Sequence, residues 1–392
     1  MRKGCECTMK TVCSLDMCCG CMACIEICTK NAIRIESNFD VYNAVIDNKK
    51  CVECGACENV CQKCINFIKK NKPLEWYQGW TSDEIRKNSS SGGVAAAIEK
   101  YFYDSEGDVY SCCYRNGEFI FICADSIANI ESFAGSKYVK SNPIGVYKAI
   151  KEKLLNGKKI LFIGLPCQVS AVKLFVGEDL NHGLFTVDLI CHGTPAPELL
   201  HIYLKQHGIC EKSVSDILFR SKNKFQLIAD AKSITTKGTC DAYSIAFLNG
   251  LDYTENCYHC NYACSDRVSD ITLGDSWGSE LPIEEVQKGI SLILVNSIKG
   301  KYLLDVTQIV TRPVDKDKAI KENNQLCHPT KRSSKRSYFF NAIKGGKNFD
   351  KIIWKIYPWI CFKQLVKSIL IKRQIIRGGG KYSPYGIIIQ YK

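Results

Sequence analysis

Eight cysteines fall in two copies of one spacing, and no other feature limits the fold of this chain so strongly. Cys18, Cys21, Cys24 and Cys28 read C-x2-C-x2-C-x3-C, and Cys51, Cys54, Cys57 and Cys61 repeat it. Three closely spaced thiolates wrap one face of a cubane, and the more distant fourth reaches the neighbouring cluster. The spacing therefore predicts two cross-ligated [4Fe–4S] clusters, with Cys18, Cys21, Cys24 and Cys61 on the first and Cys51, Cys54, Cys57 and Cys28 on the second. Zinc sites and disulfide scaffolds also use C-x2-C pairs. A zinc ion, however, leaves a third close cysteine and a distal fourth unexplained in both copies. Thr29 and Gln62 stand where a proline usually follows the fourth cysteine. That proline shapes a turn and ligates nothing, so the ligand set is intact.

A chain of 392 residues has room for two or three domains. The expected order is an irregular leader at 1–14, an α+β two-[4Fe–4S] bacterial-type ferredoxin module at 15–72, an α/β domain with a mixed sheet at 73–330, and a helical basic amphipathic tail at 331–392. Within the module, Ala32–Ile35 and Ala44–Asp47 read as short strands. Cys5, Cys7, Cys13 and Cys64 follow no repeat spacing; they are bystander thiols or extra ligands. The start, Met1-Arg2-Lys3-Gly4-Cys5, has no apolar leader, and no uncharged apolar run nears the roughly 20 residues of a spanning helix. With 25 cysteines as well, the expected location is the reducing cytoplasm.

The formal charge of +13 is not spread evenly. Lys331 to Lys392 carries fifteen Lys and Arg against one acid, Asp350, which leaves the first 330 residues at net −1. From Trp359 to Arg373 apolar residues recur at helical spacing, with Lys363, Lys367 and Lys372 off that face. Such a helix lies on an anionic membrane surface, or it docks on the acidic body or a partner. Sparse Arg and the apolar face argue against nucleic acid.

Past Trp76 the composition changes. Ser89-Ser90-Ser91-Gly92-Gly93 runs into an apolar helix from Val94 to Tyr103, a start that suits a phosphate or a flavin pyrophosphate and equally an ordinary serine cap. Strand patterns at Asp108–Tyr114 and Glu118–Cys123, a helix at Val146–Leu155 and a buried strand at Lys159–Gly164 follow. Cys112, Cys113 and Cys123 lie inside strand patterns and read as core. Cys167 opens a helix after one buried strand, and Cys191 ends another. Carboxyl ends of strands are where α/β sheets hold ligands. With the pair Cys257 and Cys260 these two make a four-thiolate set, for a third [4Fe–4S] cluster, for zinc, or for no metal, with Cys264 as a spare. His192 and His259 adjoin these thiols as candidate hydrogen-bond donors. Cys191 and His192 are the candidates for substrate chemistry. No Ser/His/Asp order, catalytic carboxylate pair or GxxxxGK[ST] loop supports hydrolysis or P-loop phosphoryl transfer.

Several of these motifs together resemble one family, the beta subunit of coenzyme F420 hydrogenases and dehydrogenases. The likeness covers about residues 15–340. It rests on Ser89–Gly93, Gly135-Ser136-Lys137-Tyr138-Val139, Gly164-Leu165-Pro166-Cys167-Gln168, Asp188-Leu189-Ile190-Cys191-His192-Gly193, Phe219-Arg220, Cys257-x2-Cys260 and Asp270-Ile271-Thr272-Leu273-Gly274-Asp275-x-Trp277-Gly278. The resemblance implies a non-covalent FAD near Ser89–Gly93 and Gly135–Val139, a further iron–sulfur cluster in the second domain, and an oxidoreductase moving electrons between flavin and clusters. It also implies coenzyme F420 or another small-molecule hydride donor or acceptor, a redox partner protein, and relatives in bacterial surface-polysaccharide gene sets. The rival expectations are an electron-transfer subunit without substrate chemistry and a scaffold that keeps the fold alone.

Overall fold

The computed structural model describes residues 9–65, 68–105, 107–222 and 224–376. Cys5 and Cys7, and the end of the basic tail from residue 377, lie outside the described residues. The cysteine repeats form a small unit of α1 (Ala23–Ile27), β1 (Ile33–Ser37), β2 (Tyr42–Ile46) and α2 (Ala56–Asn59). Strands β1 and β2 pair antiparallel, Ile33 opposite Ile46, and Thr11 bridges to Val45 outside them. Its core is built from Val12, Cys18, Cys24, Ile33, Tyr42 and Ala44.

An eight-stranded mixed sheet follows, in the order β13-β3-β12-β11-β7-β6-β4-β5. Chain order gives β3 (Glu75–Trp80), α3 (Asp83–Asn88), α4 (Val94–Asp104), β4 (Asp108–Arg115), β5 (Glu118–Cys123), α5 (Ile127–Ser132) and α6 (Val146–Leu155). Next come β6 (Ile160–Gly164), α7 (Pro166–Val176), β7 (Leu184–Leu189) and α8 (Pro197–Gln206). A separate antiparallel sheet holds β8 (Ile217–Ser221), β9 (Lys224–Ala229) and β10 (Lys232–Ser233). After α9 (Ala242–Leu248) and α10 (Glu255–Tyr258), the main sheet resumes with β11 (Ile271–Asp275), α11 (Ile283–Lys288), β12 (Ser291–Val295), α12 (Ile298–Val306), β13 (Val310–Pro313) and α13 (Lys316–Glu322).

Strands β4, β6, β7 and β11 run parallel. Ile160-Leu161-Phe162-Ile163 is buried throughout because helices cover both sheet faces, which explains a continuous apolar run instead of an alternating one. Helices α6 and α7 cover one face, and α4, α5 and α12 the other. The parallel register brings the ends of β6, β7 and β11, at Gly164, Leu189 and Asp275, to one edge.

The cysteine unit docks on the α6–α7 side. Glu26 accepts from the main-chain N–H of Gly145 and Lys148 at the start of α6, and Tyr147 donates its hydroxyl to Cys21 O at 2.7 Å. Gln62 donates to Cys167 O at 2.7 Å and accepts from the Tyr262 hydroxyl. Beyond residue 330, α14 (Arg336–Lys344), α15 (Phe349–Ile356) and α16 (Pro358–Lys372) join the core of the smaller sheet. Phe339, Phe340, Phe349, Ile352, Ile353 and Ile356 pack there with Tyr203, Phe219 and Tyr243.

Candidate redox site

The two cysteine repeats share a backbone device. Gly20 and Glu53, between the first and second cysteine of each repeat, have φ of 68° and 56°; Met22 and Gly55, between the second and third, have 64° and 71°. Left-handed residues at such positions turn successive N–H groups toward one concave side, which suits an anionic cluster. Gly20 N–H donates to Cys18 Sγ, Glu53 N–H to Cys51 Sγ and Ala32 N–H to Cys28 Sγ, each at 3.4 Å. A non-glycine held at positive φ is strained, and Glu53 and Met22 carry that strain beside the thiols. Among the described residues no three His, Cys, Asp or Glu converge on a single-ion site. A cubane asks for something else, one thiolate on each of four separate irons. Cys13, which follows no repeat spacing, is buried and packs in the core of the small unit with Cys18, Cys24 and Cys61.

In the α/β domain two cavities share a wall. The smaller, about 40 Å³, is lined by Cys167, Cys191, Cys257 and Cys260, as the four-thiolate reading expects. It is also lined by Cys19, which sequence spacing did not single out, and by buried Lys140, whose ammonium donates to Cys19 O at 2.9 Å. Burial pulls the Lys140 ammonium down, but Cys257, Cys167, Tyr42 and Cys19 outweigh it and hold it above the ordinary lysine range. Five soft thiols and one buried cation around one space fit an anionic iron–sulfur cluster. Cys264, the sequence's spare ligand, is absent from this wall; its sulfur lies 3.5 Å from Lys70 Nζ and donates to Asp266 O. His259 is solvent-facing beside Glu255, whereas His192 lines both cavities.

Arg267 ties this wall together. Its guanidinium donates to Asp188 Oδ1 at 3.0 Å, Leu189 O, Tyr262 O, Cys264 O and Thr272 Oγ1, so the end of β7 and the Cys257–Cys264 loop are fixed to each other. Both members of the ion pair are buried. Nothing local in the sequence marks the Arg267 ion pair, since Asp188 and Leu189 lie far away along the chain.

The larger cavity, about 280 Å³, lies over the ends of β6, β7 and β11. Ser89, Ser90, Ser91 and Gly93 line it together with Gly135, Ser136, Lys137 and Tyr138, so the two segments of the motif reading meet. Ser136 N–H donates to Ser90 Oγ at 2.8 Å and joins them directly. Gly92 instead faces inward, where a Cβ would meet Gly79 O at 2.3 Å and Ser291 N at 2.7 Å. Arg220 grips both Asp275 carboxylate oxygens at 2.7 and 2.8 Å and donates to Ser90 O. Lys222 donates to Ser89 O and Ser91 O; burial and the nearby Arg86 and Arg220 lower its ammonium to about 8.

Two further features of this cavity escape the sequence patterns. Glu99, on α4, is a buried carboxyl in the wall, raised by burial to about 7 despite the Ser111 hydroxyl and Lys137 nearby. Its signal was one acid on the core side of an apolar helix. Cys112 lines the cavity, which qualifies its reading as a core thiol, while Cys113 is buried. Burial lowers His192 to about 4, so its ring is neutral near pH 7. Leu165, Cys191, His192, Gly193 and Thr194 belong to both cavity walls, so one short turn separates the thiol space from the larger one. The donors around the larger space, main-chain amides at a helix start with Arg220 and Lys222 behind them, suit an anionic cofactor with apolar rings.

Residues 157–316 match the family model for the C-terminal part of the coenzyme F420 hydrogenase/dehydrogenase beta subunit. One subunit of the F(420)H(2) dehydrogenase of Methanosarcina mazei is 24% identical over 293 residues, 67% of this chain and 78% of that protein. An uncharacterised protein of Methanocaldococcus jannaschii is 28% identical over 202 residues, 42% of this chain and 54% of that protein. Among solved structures, a chain of the F420-reducing [NiFe] hydrogenase complex from Methanosarcina barkeri aligns with a TM-score of 0.45 at 18% identity, covering 82% of this chain and all of that one.

Proposed function

Since the chain belongs, through residues 157–316, to the coenzyme F420 hydrogenase/dehydrogenase beta-subunit family of oxidoreductases, we propose that it is an iron–sulfur flavoprotein relaying electrons between a hydride partner and a redox partner protein. Residues 15–72 are read as the two-cluster ferredoxin module, 73–330 as the flavin and third-cluster domain, and 331–392 as a basic extension. Cys18, Cys21, Cys24 and Cys61 would hold one cluster and Cys51, Cys54, Cys57 and Cys28 another, with Cys167, Cys191, Cys257 and Cys260 on the third. Ser89–Gly93 and Gly135–Tyr138 would hold FAD. When bound, a flavin supplies the conversion between hydride exchange and single-electron traffic, and cubanes carry one electron at a time.

One observation supports this reading: the first cysteine repeat, the thiol cavity and the larger cavity are contiguous. Cys18 and Cys21 bracket Cys19, which lines the thiol cavity, and the Cys191–Thr194 turn lines that cavity and the larger one. Short separations of this kind favour electron transfer without a mobile carrier. Cys191 and His192 hold the shared wall, where the neutral His192 ring offers one N–H donor and one acceptor nitrogen. The M. mazei relative is part of a dehydrogenase built from several proteins, which favours a partner protein at the ferredoxin end. The hydride partner is F420 or another two-electron carrier, with surface-polysaccharide metabolism as the setting.

Anaerobic mixing with reduced F420, NADH or NADPH tests the reading, with electron paramagnetic resonance following the N-terminal clusters. At least one donor should reduce them in the wild type. Cys191→Ser should keep the flavin and slow their reduction; equal rates in both proteins would remove the relay.

A further inference from the structure

Among the described residues, helix α16 is bound by one side only. Cys361 and Gln364 are buried, Gln364 Oε1 accepts from Cys240 N–H at 2.9 Å, and Ser368 shares a hydrogen bond with Thr236. These contacts fix the helix about its axis. Its other side is apolar and open: Trp359 keeps 67% of its surface in solvent, and Phe362, Leu365, Val366 and Ile369 are exposed as well. At about 100° per residue these five fall in one arc of roughly 120°. Lys363 and Lys367 border it on one side, Lys372 on the other, and Arg373 extends it at the C-terminal end. The ring of Trp359 stacks on Phe362 at 5.7 Å, and Lys363 Nζ lies 5.9 Å from the Trp359 centroid. No acid occurs after Asp350.

We propose that this face of α16 is a docking surface for an anionic lipid bilayer, on which the helix lies parallel to the membrane with Trp359, Phe362 and Leu365 inserted at the headgroup boundary. Charge decides the occupant. An apolar arc rimmed by cations and free of acids matches acyl chains flanked by lipid phosphates. A protein partner would have to supply the whole acidic rim itself. No described helix is long and apolar enough to cross a membrane, and this mode of attachment needs none. The neighbouring α15 turns Ile352, Ile353 and Ile356 into the core, so it serves as the rigid mount.

The test is flotation of the full chain, purified anaerobically, with vesicles of phosphatidylcholine alone or with about one quarter phosphatidylglycerol. The wild type should float with the anionic vesicles and roughly tenfold less with neutral ones or at high salt. Trp359→Ser with Phe362→Ser, and separately Lys363→Glu with Lys372→Glu, should each float roughly tenfold less, with visible spectrum and gel-filtration volume unchanged. Wild-type protein that stays with the unbound fraction, or variants that float like the wild type, would overturn the proposal. So would a wild-type dimer that the Trp359/Phe362 variant dissolves, which would assign the face to a second copy. A chain cut after Ile376 that floats where the full chain does not would likewise overturn it, because the last residues would then be the occupant.

Discussion

Replacing Arg267 by Met is the sharpest perturbation of the thiol cavity that leaves every cysteine in place. The substitution removes hydrogen bonds to Asp188, Leu189, Tyr262, Cys264 and Thr272 and strands the Asp188 carboxylate, which has no solvent exposure. Breaking one side of a buried ion pair costs about 3–5 kcal/mol, because the remaining charge has neither water nor a partner. With a urea dependence of about 3 kcal/mol per molar, the unfolding midpoint should fall by about 1–1.7 M. The geometry adds a second consequence, since Cys191 and Cys260 each lie two residues from a carbonyl that Arg267 holds. Iron per chain should therefore fall by about four while the N-terminal clusters persist. Adding Asp188→Leu removes the stranded charge and should recover part of the stability but not the iron. A single variant that unfolds within about 0.3 M of the wild type and retains its full iron would refute the reasoning.

Glu99→Gln tests the buried carboxyl through pH. The folded-state value near 7 stands above the ordinary 4.5, so the native protein holds this proton more tightly than the unfolded chain does. Stability should fall as pH rises from about 4.5 to 7, by about 3 kcal/mol at most, and Gln should flatten that window and be the more stable form at pH 8. A wild-type minus variant difference equal at pH 5 and pH 8 in denaturant melts would sink this. Gly92→Ala drives a Cβ into the Gly79 carbonyl and the Ser291 amide, which should cost about 1–3 kcal/mol and displace the serine loop. A melting temperature and flavin content equal to the wild type's would count against the packing argument. Cys264→Ser should leave iron and spectrum unchanged, whereas Cys260→Ser should lose about four irons; the reverse pattern in metal analysis would move the ligand set.

Much of the fold could be read locally. The run Ile160–Gly164 is apolar without alternation because both faces of a parallel strand are covered, so burial wrote itself into consecutive residues. Turn and helix-start chemistry likewise exposed Cys167 and Cys191. Cys19, Glu99 and Arg267 were not legible in the same way. Each acquires its role from the fold: docking of the cysteine unit brings Cys19 to the thiol cavity, burial on α4 makes the Glu99 carboxyl part of the larger cavity's wall, and the sheet register brings Asp188 and Leu189 to Arg267. The C-terminal helices show a further limit. Periodicity identifies an apolar side on α16, but only packing decides that Ile352 and Ile353 of α15 become core while Phe362 and Leu365 stay in solvent.

The most direct measurement of the central claim is iron, acid-labile sulfide, extracted flavin and an optical spectrum on one anaerobically purified sample. Three cubanes beside a flavin cavity require about twelve irons and one flavin per chain. About eight irons without flavin would contradict it, leaving the two N-terminal clusters as an electron carrier with no hydride chemistry of its own.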